Sequence, residues 1–249
     1  MARPLILLCN DDGYRAPGIS GLRDVLTHLA QVVICAPHTE QSAASHALSI
    51  HRPLRLEQHG PDLFSLDGTP ADCVYVAVHA GNRVLPRWPD LVVSGVNDGV
   101  NLGADAFYSG TVAAAREGAL RGIPSIAFSA GSGASLDQAC LVARRLVERV
   151  LVAGLSEPLL LNVNFPPGSD WPVRTTRPGK RLYTEGVEFR RDPRDKEYLW
   201  IGGPGASHQP LAGSDTEAYD GGVVGVTPLV LDLWSAEQQA LTEHIVSQL

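Results

Sequence analysis

Two adjacent acidic residues, Asp11 and Asp12, follow the first apolar run of the chain and precede Gly13. Loops at the carboxyl ends of parallel strands are where open α/β sheets bind ligands. Adjacent carboxylates repel each other unless a cation lies between them, and their oxygen atoms suit Mg²⁺, Mn²⁺ or Ca²⁺. The pair therefore indicates a divalent-metal site, and a turn whose side chains cap backbone amides is the alternative interpretation.

A segment rich in glycine and asparagine, which contains Asn97 and Asn101, follows a later apolar run. Its glycines permit close approach of the backbone to a ligand, and the two asparagines offer amide oxygen atoms and N–H groups. Next, Ser109, Gly110 and Thr111 begin a helix of small residues, whose first amides and dipole favour an anion. A simple N-cap is the alternative interpretation of this helix start.

The loop after the second apolar run, residues 36–46, carries Ser42 and His46. It can add a hydroxyl ligand and a histidine to the same edge of a sheet, although such a composition is also typical of ordinary loops. His46 is a candidate general acid or phosphate contact. Together, the loops and the helix start predict a metal beside an amide-lined anion pocket, which is what metal-assisted hydrolysis of a phosphate ester requires.

Short runs rich in Val, Ile and Leu predict the strands that position these residues. Strands buried on both faces are continuous apolar runs, which is typical of a parallel sheet. Between the first two runs, apolar residues recur at spacings of three and four from Ile19 to Leu29 and predict a helix, hence one βαβ unit. Thr69 and Ser135 begin two further helices with capping signals. The predicted strands are residues 5–9, 32–36, 91–94, 123–128 and 159–164.

The pattern changes after residue 166, where we predict a β-hairpin that projects from the core, a further strand and a terminal helix. The hairpin strands are residues 181–189 and 197–201, joined by a turn at 192–195, and the later elements are 223–226 and 235–249. We therefore expect a single domain over residues 1–249. Its α/β, Rossmann-like three-layer core with a mostly parallel sheet spans 1–166, and the hairpin and C-terminal extension span 167–249.

Composition excludes several classes of protein. The 249 residues are 44% hydrophobic with a formal net charge of -7, which is the profile of a soluble globular protein. No Lys/Arg-rich block is present, which argues against a nucleic-acid duplex or a membrane surface as partner. No run approaches the about 18 apolar residues of a membrane span, and the N-terminus becomes polar at Asn10, so we expect a cytoplasmic protein. The four cysteines are scattered without a CxxC and are expected to be reduced core residues.

Seven segments in chain order carry a resemblance to a known family: LLCNDDG at 7–13, AP with QS at 36–42, LDGTPADCV at 66–74, SGVN at 94–97 with Gly99 and NLG at 101–103, YSGTVAAA at 108–115, LNVNFP at 161–166 and TPL at 227–229. With these motifs the chain resembles the SurE survival-protein family of metal-dependent nucleoside monophosphate phosphatases. The resemblance covers nearly the whole chain, and the combination of motifs is highly specific.

The resemblance implies a Rossmann-like core, one divalent cation, Mg²⁺ or Mn²⁺, and hydrolysis of nucleoside 5′-monophosphates, sometimes with 3′-nucleotide or short polyphosphate activity. It also implies a homodimer or homotetramer, assembled through an extended hairpin and an exchanged C-terminal segment. Carried over to this sequence, the family's metal ligands are Asp11, Asp12, Ser42 and Asn97, and its phosphate-side positions are Asn101, Ser109, Gly110 and Thr111.

This chain departs from the family pattern at two positions. Ala43 follows the metal-ligand serine where the family usually has glycine, which suggests a different backbone path or substrate pocket. Asp98 adds negative charge where many members have a small or uncharged residue. For the reaction, we expect a water to attack phosphorus with Asp11 or Asp12 orienting or deprotonating it. Direct attack by an aspartate is less favoured, because the Asp-x-Asp spacing of haloacid-dehalogenase-type phosphatases is absent.

Three other classes of protein are alternatives to this hypothesis. A phosphoacceptor receiver domain also has an acidic pair after its first strand, but it predicts about half this length and a lysine after a late strand, where this chain has Ser129. A dinucleotide-binding oxidoreductase predicts a GxGxxG after the first strand, which is absent. A non-catalytic nucleotide sensor would use the same pocket and stays open.

Overall fold

The computed structural model describes residues 3–155, 159–183, 186–202 and 205–249. The strands are β1 (Leu5–Cys9), β2 (Gln31–Pro37), β3 (Leu56–Gly60), β4 (Leu63–Leu66), β5 (Leu91–Asp98), β6 (Ser125–Ala130), β7 (Leu160–Phe165), β8 (Val173–Thr175), β9 (Lys180–Tyr183), β10 (Val187–Arg191), β11 (Glu197–Ile201), β12 (Ala206–Gln209) and β13 (Val224–Pro228). The helices are α1 (Pro17–Leu26), α2 (Pro70–His79), α3 (Asp105–Tyr108), α4 (Gly110–Leu120), α5 (Leu136–Val152), α6 (Asp215–Asp220) and α7 (Ala236–Val246), with a 3-10 turn at Gly81–Arg83.

A nine-stranded sheet forms the centre of the molecule, in the order β3-β4-β2-β1-β5-β6-β7-β13-β8. Its pairings are parallel except for β3 with β4 and β13 with β7. Two small antiparallel sheets, β10 with β11 and β12 with β9, accompany it. The predicted mixed α/β fold with a mostly parallel sheet is therefore confirmed.

The central strands are covered on both faces. Every side chain of β1, β5 up to Val96, and β6 is buried. Since successive side chains of a strand point to opposite faces, this burial requires packing on each side of the sheet. Helix α1 packs against α5, and α2 packs against α4. Among the described residues, no helix combines the length and the apolar character needed to cross a bilayer.

The five predicted core strands are found as β1, β2, β5, β6 and β7. Their bounds lie within two residues of the prediction, except that β5 continues to Asp98, four residues beyond its predicted end. Helix α2 begins as the sequence indicates, because the Thr69 hydroxyl accepts from the Asp72 N–H and the Asp72 carboxylate accepts from the Thr69 N–H. Ser135 likewise caps α5 through the Gln138 N–H. The four cysteines are free and buried, as predicted.

The C-terminal part differs from the prediction in two ways. Residues of the expected hairpin strand 181–189 have two different partners: β10 pairs with β11 as predicted, whereas β9 pairs with β12. Residues 184 and 185 lie outside the described part of the chain. The predicted strand at 223–226 is β13, which joins the central sheet antiparallel to β7. Segment 167–249 therefore contributes strands to the core sheet as well as the smaller sheets.

Gly18, near the start of α1, makes the closest backbone contact that bears on the site. A methyl group placed there would lie 1.9 Å from the carbonyl oxygen of Val96, the residue before Asn97. We expect Gly18→Ala to lower the free energy of unfolding by about 2–3 kcal/mol, because backbone on one side must move. Urea denaturation would measure the loss, with Gly186→Ala as control since nothing lies near the added methyl there. Equal midpoints for the two variants would contradict the prediction.

Candidate functional site

The predicted metal ligands come from loops at one edge of the sheet. Asp11 and Asp12 follow β1, Ser42 lies in the loop after β2, and Asn97 lies near the end of β5. The carbonyl oxygen of Asp11 accepts from the Gln41 N–H at 2.8 Å, so the loops after β1 and β2 are joined directly beside Ser42. Parallel pairing of β1 with β2 and with β5 is what brings these three loops to one place.

Asp11 is almost fully buried against the start of α4. The Thr111 hydroxyl donates a hydrogen bond to its carboxylate, and a methyl group at Gly110 would lie 2.9 Å from its Cβ. Burial raises the pKa of Asp11 above its usual value, although hydrogen bonds, first among them the one from Thr111, oppose the rise. The first residues of α4 and the acidic loop therefore form one packed unit.

Asp12 is less buried and faces a neighbouring carboxylate. Burial, followed by the negative charge of Asp11, raises the pKa of Asp12 to about 6. The Asp98 N–H donates to the Asp12 carboxylate at 3.3 Å and opposes the rise, whereas the Asp98 and Glu40 charges add to it. The negative charge of Asp98, one of the two departures from the family pattern, thus contributes to the raised pKa of Asp12.

Ser42 and Asn97 complete the predicted ligand set. The Ser42 hydroxyl donates to the Glu40 carboxylate at 2.7 Å, and the Asn97 amide nitrogen donates to the Gly99 carbonyl at 2.8 Å. Ala43 has a φ of 56°, in the left-handed region that favours glycine. The alanine therefore follows a backbone path suited to glycine, at a conformational cost of about 1–2 kcal/mol.

The predicted phosphate-side residues lie around the start of α4. Ser109 is the N-cap of this helix, and its hydroxyl accepts from the Val112 N–H at 3.1 Å. Gly110 and Thr111 are the first two helical residues. The cap predicted as the alternative interpretation is thus present, and it directs the N-terminus of an 11-residue helix, with its positive dipole end, toward Asp11 and the cavity beside it.

Asn101 is buried in a network that the sequence analysis did not identify. Its N–H donates to Asn164 Oδ1 and its side-chain amide to Ser129 Oγ, each at 2.7 Å. Its carbonyl oxygen accepts from the amides of Asn162 and Asn164 at 2.7 and 3.1 Å. Two asparagines at alternate positions of an apolar strand were the available signal, because buried amides need partners.

One cavity of about 270 Å³ gathers most of these residues. Five predicted site residues line it, namely Asp11, Ser42, Asn97, Asn101 and Ser109, together with Ala43, Asp98, Val100, Asp105, Tyr108 and Tyr183. Asp12 lines an adjoining cavity that shares Asn97 and Asp98 with the first. Sequence reasoning missed Asp105 and Tyr183, which are far apart in the chain but hydrogen-bonded at 2.6 Å.

His46 is directed to a buried acid instead of lining this cavity. Its Nε2 lies 2.8 Å from Glu117 Oε2, and Arg121 holds the other oxygen atom of that carboxylate at 2.7 Å. Burial alone would raise the pKa of Glu117, but its hydrogen bonds to His46 and Arg121 outweigh burial and lower it. A phosphate-binding role for His46 stays a prediction, and its observed contact ties the loop after β2 to α4.

Replacing this buried carboxylate should weaken the fold in a pH-dependent way. We expect Glu117→Gln to lower the free energy of unfolding at pH 7 by about 2 kcal/mol, because two charge-assisted hydrogen bonds are lost. A lowered pKa stabilises the fold above the usual glutamate pKa, and this contribution disappears as the pH falls through the folded-state value. The difference from the parent protein should therefore shrink in acid.

Denaturant unfolding at pH 7 and at about pH 4 would test this expectation. Glu148→Gln, on the exposed side of α5, is the matched control and should change little at either pH. A difference between Glu117→Gln and the parent that stays constant over this range would contradict the assignment.

Comparisons with known proteins agree with this architecture. The family model described as "Survival protein SurE" matches residues 6–185. The chain is 61% identical to a protein named 5′-nucleotidase SurE from Sorangium cellulosum over 251 residues, covering 99% of this chain and 97% of that protein. It is 44% identical to a protein of the same name from Syntrophotalea carbinolica, over 92% of each chain.

A solved structure extends the likeness to three dimensions. The crystal structure of SurE protein from Aquifex aeolicus superposes with a TM-score of 0.85 at 39% sequence identity, covering 98% of this chain and all of that one. Sequence and fold thus agree over nearly the full length. The chain therefore belongs to the SurE family of survival proteins.

Proposed function

We propose that this protein is a divalent-metal-dependent phosphatase that converts nucleoside 5′-monophosphates to nucleoside and phosphate. The observation that carries the proposal is the meeting of Asp11 with the N-terminus of α4 beside Ser42 and Asn97 at one cavity. That arrangement places oxygen ligands for a cation next to an anion-binding helix end. The 5′-nucleotidase name of relatives at up to 61% identity supports the substrate class.

The residues present fit a divalent cation. Two carboxylates, a hydroxyl and an amide are hard oxygen donors of the kind that Mg²⁺ and Mn²⁺ prefer. Burial and then the negative charge of Asp11 raise the pKa of Asp12, and a cation between the two carboxylates would relieve their repulsion. When bound, the cation would supply Lewis-acid polarisation of the phosphate and of the attacking water. We propose Asp11, Asp12, Ser42 and Asn97 as its ligands.

The chain itself would bind and orient the phosphate. The helix end formed by Ser109, Gly110 and Thr111 stabilises the oxygen atoms as negative charge develops on them. Asn101 lines the same cavity with its backbone held by β7, so this part of the pocket is preorganised. Asp11 or Asp12 orients the attacking water and accepts its proton, and the leaving ribose oxygen is protonated from solvent or from a nearby group.

The proposed secondary substrates rest on the family resemblance. We propose activity on 3′-nucleotides and short polyphosphate as secondary reactions of the same pocket. Asp98 adds negative charge at the edge of the pocket, which should weaken the binding of substrates with several phosphates more than the binding of those with one. A cytoplasmic location stays a prediction.

We also propose assembly into a homodimer or homotetramer through β10–β11 and the C-terminal segment. Large apolar side chains are exposed on both elements; on the hairpin they are Val187, Phe189, Tyr198, Leu199, Trp200 and Ile201, and near the terminus Leu233, Trp234, Leu241, Ile245, Val246 and Leu249. No residue of α7 is buried in the single chain. An isolated helix of 11 residues or a lone two-stranded hairpin is marginally stable in water, so both elements need a covering partner.

Phosphate release from defined substrates tests the proposed reaction. The panel contains 5′- and 3′-nucleoside monophosphates, polyphosphate and an aryl phosphate, each with Mg²⁺ or Mn²⁺ and again after chelation. We expect metal-dependent release, fastest from 5′-monophosphates. Nucleotide binding without release under any metal would contradict the proposal and support a nucleotide sensor, and release that persists after chelation would contradict the metal site.

A further inference from the structure

Four polar residues meet at the sheet edge formed by β2, β4 and β3. Glu57 and His59 lie two residues apart on β3, with His59 at an irregularity in the pairing of β3 with β4, and their side chains approach to 3.9 Å. Ser65 on β4 is directly opposite Glu57 in the strand register. His38 follows the last residue of β2 and is held there because its N–H donates to the Leu66 carbonyl at 2.8 Å.

The possible ligand atoms of these side chains lie close together. The donor atoms of His38, Glu57 and His59 all lie within 4.8 Å of one another. Glu57 Oε2 is 4.0 Å from His38 Nδ1 and 3.9 Å from His59 Nε2. Donors about 2.0–2.2 Å from a tetrahedral ion are about 3.4 Å apart, so inward movements of less than about 1 Å would complete a site.

Neighbouring groups orient both imidazole rings toward this point. The buried Ser65 hydroxyl lies 3.3 Å from His38 Nδ1 and 2.8 Å from His59 Nε2. Tyr14, itself 7% exposed, stacks on His59 at 4.4 Å between ring centroids with an interplanar angle of 14°. The Ser65 hydroxyl has a single proton, so it can donate to only one of the two ring nitrogens. The other ring nitrogen then donates its own proton to the Ser65 oxygen.

We propose that His38, Glu57 and His59 bind a transition-metal ion of the Zn²⁺ class. Two imidazoles and a carboxylate select Zn²⁺, Co²⁺, Ni²⁺ or Cu²⁺, whereas the oxygen-only set at Asp11 suits Mg²⁺ or Mn²⁺. The two sets share no residue. Three protein ligands leave one position of a tetrahedral ion for a water or for the Ser65 hydroxyl, and the partial exposure of both histidines gives an ion direct access from solvent.

A metal ion bound at this site should stabilise the loops that carry Asp11, Asp12 and Ser42, the proposed ligands of the first site. Tyr14 belongs to the loop that carries Asp11 and Asp12, and its N–H donates to the Pro37 carbonyl at 3.0 Å. His38 begins the loop that carries Ser42. An ion bound to His38 and His59 would therefore restrain both loops, the first through Tyr14 stacked on His59 and the second at its start. Any ligand that binds only the folded chain raises the stability of the protein.

Zn²⁺ binding to the full-length, chelator-treated protein tests the proposal. Isothermal titration with Zn²⁺ chloride gives affinity and stoichiometry, and the visible spectrum of the Co²⁺ complex reports nitrogen ligation in tetrahedral geometry. The variants are His59→Gln, His38→Gln and Glu57→Gln. His28→Gln, an exposed histidine outside the group, is the matched control, and Asp12→Asn removes a ligand of the first site.

We expect one tight Zn²⁺ equivalent that survives Asp12→Asn and His28→Gln. Each variant of the proposed ligands should weaken it by at least about tenfold and abolish the tetrahedral Co²⁺ spectrum. Loss of the equivalent in Asp12→Asn, its retention at parental affinity in all three ligand variants, or no Zn²⁺ binding by the parent would each overturn the proposal. Circular dichroism identifies any variant that fails to fold. His38→Gln then carries the test, because the His38 ring is tilted and 5.7 Å from the Tyr14 ring, whereas His59 is stacked on it at 4.4 Å.

Discussion

Asp12→Asn should reduce the turnover of nucleoside 5′-monophosphates by about a thousandfold, which corresponds to about 4 kcal/mol of transition-state stabilisation. The amide keeps the shape of the side chain but removes the negative charge that would hold the proposed cation and the oxygen that would accept a proton from water. Initial rates at saturating Mg²⁺ or Mn²⁺ would measure the loss. Asp11→Asn should act similarly, because both carboxylates belong to the proposed ligand set.

The fold should survive this change, since Asp12 lies in a loop and is only partly buried. Removing one of two repelling carboxylates should leave the free energy of unfolding without metal unchanged or slightly higher. Asp24→Asn, which removes an exposed carboxylate on α1, is the matched control and should retain parental rates. Near-parental turnover by a well-folded Asp12→Asn variant would exclude Asp12 from the metal site.

We expect truncation after Asp232 to abolish the proposed assembly and to leave monomers. It removes Leu233, Trp234 and all of α7, whose apolar side chains are exposed in the single chain and are covered only if a second copy packs on them. Leu229 and Leu231, which pack against the apolar cluster beneath α4, are retained. Light scattering coupled to size exclusion would measure the change in mass, and the shortened chain should remain folded.

The position of this truncation follows from the sheet. A cut before Gly222 would also delete β13, which pairs with β7 and β8, so a loss of assembly could reflect unfolding. Ile245→Glu provides a second variant that keeps the full length, and Gln248→Glu is its control on the same exposed segment. An unchanged mass for the truncated chain and for Ile245→Glu would contradict an interface at the C-terminal segment.

The sequence specified the central strands and the chemical character of the first site. Apolar runs such as residues 5–9 report burial on both faces directly, because every side chain of such a strand must leave water. The helix start at Thr69 was also predictable, since the cap and its partner Asp72 are three residues apart. The acidic pair and the Gly/Asn segment were recognisable because their donor types, whatever their placement, suit a cation and an anion.

Tertiary structure decided which distant residues meet. β9 pairs with β12, whereas β10 pairs with β11. The first pairing joins strands about 25 residues apart, and no local pattern encodes that choice. His46 is a candidate general acid or phosphate contact from its loop alone, and only the tertiary structure shows that it lies against Glu117, 71 residues later in the chain.

The group at His38, Glu57 and His59 likewise depends on the tertiary structure. Each side chain is unremarkable in its own segment, and only the pairing of β2 with β4 and of β4 with β3 places them together. Local sequence determines the conformations and burial that a segment favours, because those depend on neighbours within a few residues. Which polar groups share a site is decided by strand order and register, because a single-residue slip would turn these side chains to the other face of the sheet.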